Sequence, residues 1–197
     1  MGAGGYVNIG IVFSDKHKLL QVFDSLKNYI VQKGSKFIAV KYSKDVEGNA
    51  WIESEIDNNL IESTWLKGYY TEFRVSGLFL HSNLKEIDLL VIKENHFFGF
   101  LLGISWDEIH LNKQDDIQQH IIDVLVNLYK STNYDYAFVG HELEIEIGPE
   151  NFEKGLKQND YYPVGIVPKG TDVEIYYGVI GIDGLSTQEK KKEITKI

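Results

Sequence analysis

Two long stretches of this chain repeat apolar residues at helical spacing, while its other apolar runs are strand-sized, and that combination leaves few folds open. Leu19, Phe23, Leu26 and Ile30 recur at steps of four, three and four, which puts them on one face of an α-helix. Ser14 and Asp15 precede them as N-cap residues, and Gly34 follows where a helix ends in a left-handed turn. Ile117, Ile121, Val124, Leu125 and Leu128 form the second stripe. Asn112 is its candidate cap, Asp115 and Asp116 fall in its first turn, and Lys130 in its last, as the helix dipole favours.

The strand-sized runs are Tyr6 to Phe13, Lys36 to Tyr42, Trp51 to Ile56, Tyr69 to Val75, Ile87 to Ile92, Phe97 to Ile104, Tyr134 to Val139, Val164 to Val167 and Asp172 to Ile182. Turn residues at Asp45–Asn49 and Lys93–His96 connect neighbours as hairpins. Residues 57–68 read as a short helix or an irregular connection, and Pro149 to Gly155 as one helical turn. Hairpins mixed with two long helices predict an α+β domain. Its sheet is mostly antiparallel (mixed), with the two long helices packed against it. A small parallel element is expected between the strands flanking the first helix, through a right-handed crossover. Residues 1–185 are read as a single α+β domain, and residues 186–197 as a charged C-terminal tail that frays.

The segment His141-Glu142-Leu143-Glu144-Ile145-Glu146-Ile147 has a period of two. Drawn as a strand, it turns Leu143, Ile145 and Ile147 to one face and Glu142, Glu144 and Glu146 to the other. Solvent-facing strand positions are often Glu, which explains the row without function. Three like charges in one row repel, however, so the row is also a candidate docking surface for something basic. Trp51, Glu53 and Glu55 form a weaker echo of it earlier in the chain.

Charge and composition narrow the function classes. The 197 residues carry a formal net charge of −9, which repels nucleic acid and attracts cationic partners. The hydrophobic share of 43% is enough to build a core. The absence of cysteine removes disulfides, thiol catalysis and thiolate metal sites. No secretory signal or membrane-length apolar run is visible, so a cytoplasmic location is expected, with no membrane partner.

No catalytic motif is assembled. The turn after the first strand is Ser14-Asp15, where a phosphate-binding loop would need glycines and an Asp would repel phosphate. His141-Glu142 lacks the second His of a zinc-protease helix, because Ile145 stands there. His17, His81, His96, His110 and His120 are scattered. No catalytic residue, metal site or cofactor is therefore expected. Trp106 either anchors a partner or closes the edge of its own core. Tyr161-Tyr162-Pro163 is either an exposed aromatic patch or a strand lead-in.

Three groups of residues together resemble a known family: Gly10-Ile11-Val12-Phe13 before a Leu/Phe-rich helix, the Phe98-Gly99 strand ending near Trp106, and Tyr134-Asp135-Tyr136-Ala137-Phe138 running into the acidic segment. They resemble the small immunity proteins of bacterial polymorphic-toxin systems, in particular the immunity protein 64 family, over roughly residues 9 to 182. The resemblance implies a cytoplasmic, single-domain, non-enzymatic protein that binds and neutralises a cognate protein toxin. It assigns no contact residue. The residues themselves nominate Glu142, Glu144, Glu146 and Trp106 as toxin-binding: an acidic rim with an aromatic anchor, suited to a basic toxin. The alternatives are an uncharacterised hydrolase-like enzyme, with a site assembled from scattered His and Asp/Glu such as His141 and Asp116, and an adaptor that dimerises through a strand edge.

Overall fold

The computed structural model describes residues 5–111, 117–158 and 161–197. The capping residue Asn112, the acidic pair Asp115 and Asp116, and Asp160 lie outside the described residues. Ten strands form one sheet: β1 (Tyr6–Phe13), β2 (Phe37–Ser43), β3 (Trp51–Glu55), β4 (Thr71–Ser76), β5 (Glu86–Lys93), β6 (Phe98–Ser105), β7 (Tyr136–His141), β8 (Val164–Lys169), β9 (Asp172–Tyr177) and β10 (Lys191–Lys196). Their order across the sheet is β10-β9-β8-β7-β1-β6-β5-β4-β2-β3. The helices are α1 (Leu19–Gln32), α2 (Trp106–Leu111), α3 (Ile117–Thr132) and α4 (Pro149–Gln158).

The α+β class and the antiparallel character agree with the sequence. The expected parallel element does not form. β1 bonds to β6 and β7, and β6, β5 and β4 stand between it and β2, so α1 carries the chain across several strands instead of to a neighbour. Every strand pairing described is antiparallel. The expected tail also departs from its description, since Lys191–Lys196 pairs with β9 as an edge strand.

Both faces of the sheet are partly covered, which explains why β1 and β6 read as near-continuous apolar runs. α1 and α3 lie on what we call the inner face. Phe23 of α1 stacks on Phe73 with ring centres 5.2 Å apart and meets Phe37 and Phe100 edge-on or tilted. Ile121, Leu125 and Leu128 of α3 join the same core as Ile9, Ile11 and Val139. α1 ends where its sequence indicates: Gly34 takes φ 85°, and Ser35 N–H closes the helix on Ile30 O at 3.2 Å.

The outer face holds a smaller core that the two-helix picture omits. Alternate residues of the central strands, including Val12, Leu101, Tyr136 and Phe138, point to it. α4 covers part of it, with Phe152 stacked on Tyr136 at 3.8 Å and Leu156 lying close over Gly165.

Candidate functional site

The acidic segment is not a strand. β7 ends at His141, and Glu142 then adopts φ 51°, a left-handed conformation that turns the chain out of the sheet. Glu142 N–H still donates to Tyr6 O at 2.9 Å. Beyond it the backbone runs extended across the outer face until Pro149 opens α4. β8 cannot receive it, because the β7–β8 pairing stops at Val139.

Side chains of the sheet hold this segment instead of a ladder. Asn8, facing outward from β1, donates its Nδ2 to Leu143 O at 3.0 Å. The Tyr136 hydroxyl donates to Ile147 O, and burial pushes that hydroxyl well above its ordinary range. Ile145 is 4% exposed and sits against β6 at Gly99. A Cβ at Gly99 would stand 2.7 Å from Ile145 Cδ1, so the seat exists because residue 99 has no side chain.

The period-two reading therefore has the facing right and the hydrogen bonding wrong. Leu143, Ile145 and Ile147 turn to the sheet, while Glu142, Glu144 and Glu146 are exposed. Among the described residues none of the three glutamates has an ion-pair partner or a side-chain hydrogen bond. Glu153 on α4, by contrast, is neutralised: it bridges Lys157 at 2.7 Å and Lys169 at 2.6 Å, which holds its carboxyl down at about 2.

The segment stands as a ridge between two grooves. One, of about 500 Å³, lies between the three glutamates and Gly155, Tyr161 and Tyr162. Tyr161 is 70% exposed there. Burial, with a smaller effect from the Glu146 charge, pushes the Tyr162 hydroxyl up. The other groove, of about 440 Å³, lies between Glu144 and Glu146 and the outward side chains of β5 and β6, with Leu90 and Ile92 at its base. Tyr161, Leu90 and Ile92 were not nominated from sequence. The pair Tyr161-Tyr162 was visible there, but Leu90 and Ile92 sit inside a run whose two faces are both apolar.

Trp106 lies elsewhere. It opens α2, its backbone N–H donates to Gly5 O at 2.9 Å, and its half-buried ring packs on the inner-face core. His110 and His141 flank that ring at 5.0 and 4.7 Å. Trp106 thus touches the residue before Glu142 but does not share the outer face with Glu144 and Glu146. The four nominated residues do not form one patch centred on Trp106.

The scattered histidines are partly gathered. His81 and His120 meet edge-on at 5.0 Å, and His110 and His141 share Trp106. His141 Nδ1 and His110 Nε2 are buried without a hydrogen-bond partner. Among the described residues no group of three or more His, Asp or Glu is placed to hold a metal ion. Asp116, named with His141 in the hydrolase reading, lies outside the described residues.

These features define an α+β protein on one ten-stranded antiparallel sheet, with an unpaired acidic ridge laid across its outer face. The model of the immunity protein 64 family matches residues 4–188, and the chain belongs to that family. No curated protein matches it. Among solved structures, the Pseudomonas aeruginosa T6SS protein PA0821 is similar at 8% identity with a TM-score of 0.35. That similarity covers 70% of this chain and 41% of that one. Among the described residues no helix is long and apolar enough to cross a membrane.

Proposed function

We propose that this protein is a non-enzymatic, cytoplasmic inhibitor that binds a cognate bacterial toxin of the polymorphic-toxin class and blocks it by occupying its surface. Family membership supports a toxin-immunity role. The single structural observation that carries the binding site is the ridge: three carboxylates held out from the sheet, unpaired, on a segment anchored by Ile145 and flanked by grooves. A fold gains nothing by grouping like charges, but a basic partner does, since opposite fields speed encounter. With the net charge of −9, this favours a basic toxin and disfavours nucleic acid. Tyr161 takes the place of an aromatic anchor beside the glutamates. Trp106 acts from beneath, by packing on His141 at the root of the ridge.

The test is association kinetics with a purified cognate toxin domain, at several salt concentrations. Charge reversal of Glu142, Glu144 and Glu146 to Lys lowers the on-rate by at least about tenfold at low salt, and the gap narrows as salt screens the field. An unchanged on-rate would remove the ridge from the interface.

A further inference from the structure

The outer face of the sheet is only half covered. α4 packs beside β7 and β8, and the acidic segment lies over β1 and β6. Beyond it, the outward side chains of β5, β4, β2 and β3 are partly or fully exposed, except Ala39 and Ser43.

Pairing in the sheet sets what this surface carries. Leu101 of β6 pairs with Leu90 of β5, Leu90 with Glu72 of β4, Glu72 with Lys41 of β2, and Lys41 with Glu53 of β3. Directly paired residues share a face, so this row runs from apolar at the ridge to charged at the edge. In the next row Asp88 pairs with Arg74. Along β5 itself, Leu90 and Ile92 are partly exposed, whereas the inward Leu89 and Val91 are buried.

The result is a trough with an apolar floor and two acidic walls. Glu144 and Glu146 line one side and Glu72 of β4 the other, while Asp88 and Glu94 stand at the two ends of the Leu90–Ile92 row. From β6 to β4 is two strand spacings, about 10 Å, which is the width of one helix with its side chains or of one extended segment. The cations on this face are already engaged: Arg74 Nε lies 3.3 Å from Glu86, and Lys41 stands over the Trp51 ring. Burial, then the Glu72 charge, raise the Asp88 carboxyl although Arg74 across the strand pair partly offsets them, and among the described residues Glu72 itself accepts only the neutral Tyr70 hydroxyl. Such a wall costs stability in the isolated protein and suits a cation brought from outside.

We propose that the trough along β5 is a second contact surface of the inhibitory complex, on which one cationic segment of the toxin lies over Leu90 and Ile92 with its basic side chains reaching the carboxylates on both sides. This rests on the toxin-binding reading above and extends it from the ridge to the open half of the sheet. Long basic side chains suit the site, because their aliphatic stems cover an apolar floor while their heads reach the walls.

The test is the affinity of the intact protein for the purified cognate toxin domain. Leu90→Arg places a like-charged head on the floor and is expected to weaken Kd by at least about 30-fold, the scale of an interface hot spot. If Leu90→Arg loses its folded circular dichroism spectrum, the pair Glu72→Lys with Glu94→Lys carries the same expectation. A wild-type protein that binds tightly, with folded variants within about threefold of it, overturns the trough and leaves the toxin-binding reading standing. A wild-type protein that neither binds nor neutralises the toxin overturns both.

Discussion

The ridge is held to the sheet by contacts rather than by a ladder, so its seat can be measured through Ile145 and Gly99. Ile145→Ala removes a side chain that is 4% exposed and leaves a hollow over β6. Buried Ile→Ala changes cost about 2–5 kcal/mol, and the lower half of that range applies because the segment can settle inward. A loss of about 2–3 kcal/mol lowers Tm by roughly 4–12 °C in a chain of this length. Gly99→Ala attacks the same contact from below. Its Cβ would stand 2.7 Å from Ile145 Cδ1, 2.8 Å from Ile11 O and 3.3 Å from Val12 Cγ2. Overpacking of this kind costs about 1–3 kcal/mol. In the double variant the Ile145 clash is gone but the Ile11 carbonyl remains, so part of the second penalty disappears. The double variant should cost about 1 kcal/mol less than the sum of the single ones, against a scatter of about 0.3–0.5 kcal/mol for sites that do not touch. Urea unfolding of the four proteins gives the numbers, and m-values must agree for the cycle to close. Strict additivity would refute the seat, and with it the placement of the glutamates over the outer face.

Two pH experiments follow from the charges around the ridge and the trough. The Asp88 carboxyl is raised by burial, then by Glu72, so the folded state holds its proton to higher pH than the unfolded chain does. Stability is therefore lost as pH rises from the ordinary carboxylate range through the folded value, and Asp88→Asn should gain Tm relative to wild type across that window. A gap that stays constant with pH would show that Asp88 is not raised. Glu153 has the opposite sign: Lys157 and Lys169 hold it at about 2, below its usual value of 4.5. The stabilisation it provides is present above pH 4.5 and is lost as pH falls toward 2. Glu153→Gln should accordingly lower Tm at neutral pH by an amount that shrinks on acidification and in high salt. If the difference persists at pH 2, the Lys169 bridge between α4 and β8 is not its source.

Most of the fold was legible because its elements obey one period each. The stripe Leu19, Phe23, Leu26 and Ile30 faces the inner core as the spacing requires, with the last three buried and Leu19 packed beside them. The hairpin of β5 and β6 also lies where the apolar runs place it. α4 was harder to see. It buries only Phe152 and Leu156 in ten residues, and Gly155 within it weakens the local helical signal. Its stability comes from the stack of Phe152 on Tyr136, a contact between residues on different elements that local periodicity cannot express. The missing parallel pair has a similar cause. Nothing in β1 or β2 records that a hairpin and a further strand will occupy the space between them.

The site shows where pattern reading stops. An alternation of Leu or Ile with Glu records only that an extended chain lies on an apolar surface, and a sheet face supplies that surface as well as a neighbouring core does. Residues 142–147 satisfy the alternation without joining the sheet, because Glu142 turns the backbone away and Asn8, Tyr136 and Ile145 fasten it. That difference matters for the binding role proposed above. A laddered strand would have shared its backbone groups with β8 and presented the glutamates as one row of a broad sheet. A segment laid across the sheet instead lifts them above it and opens a groove on each side. The same placement removes Trp106 from the centre, since the turn at Glu142 carries the acids to the outer face while His141 stays with Trp106 on the inner side. The aromatic partners of the ridge are then chosen by the fold, and they are Tyr161 and Tyr162, separated from the glutamates in sequence by the whole of α4.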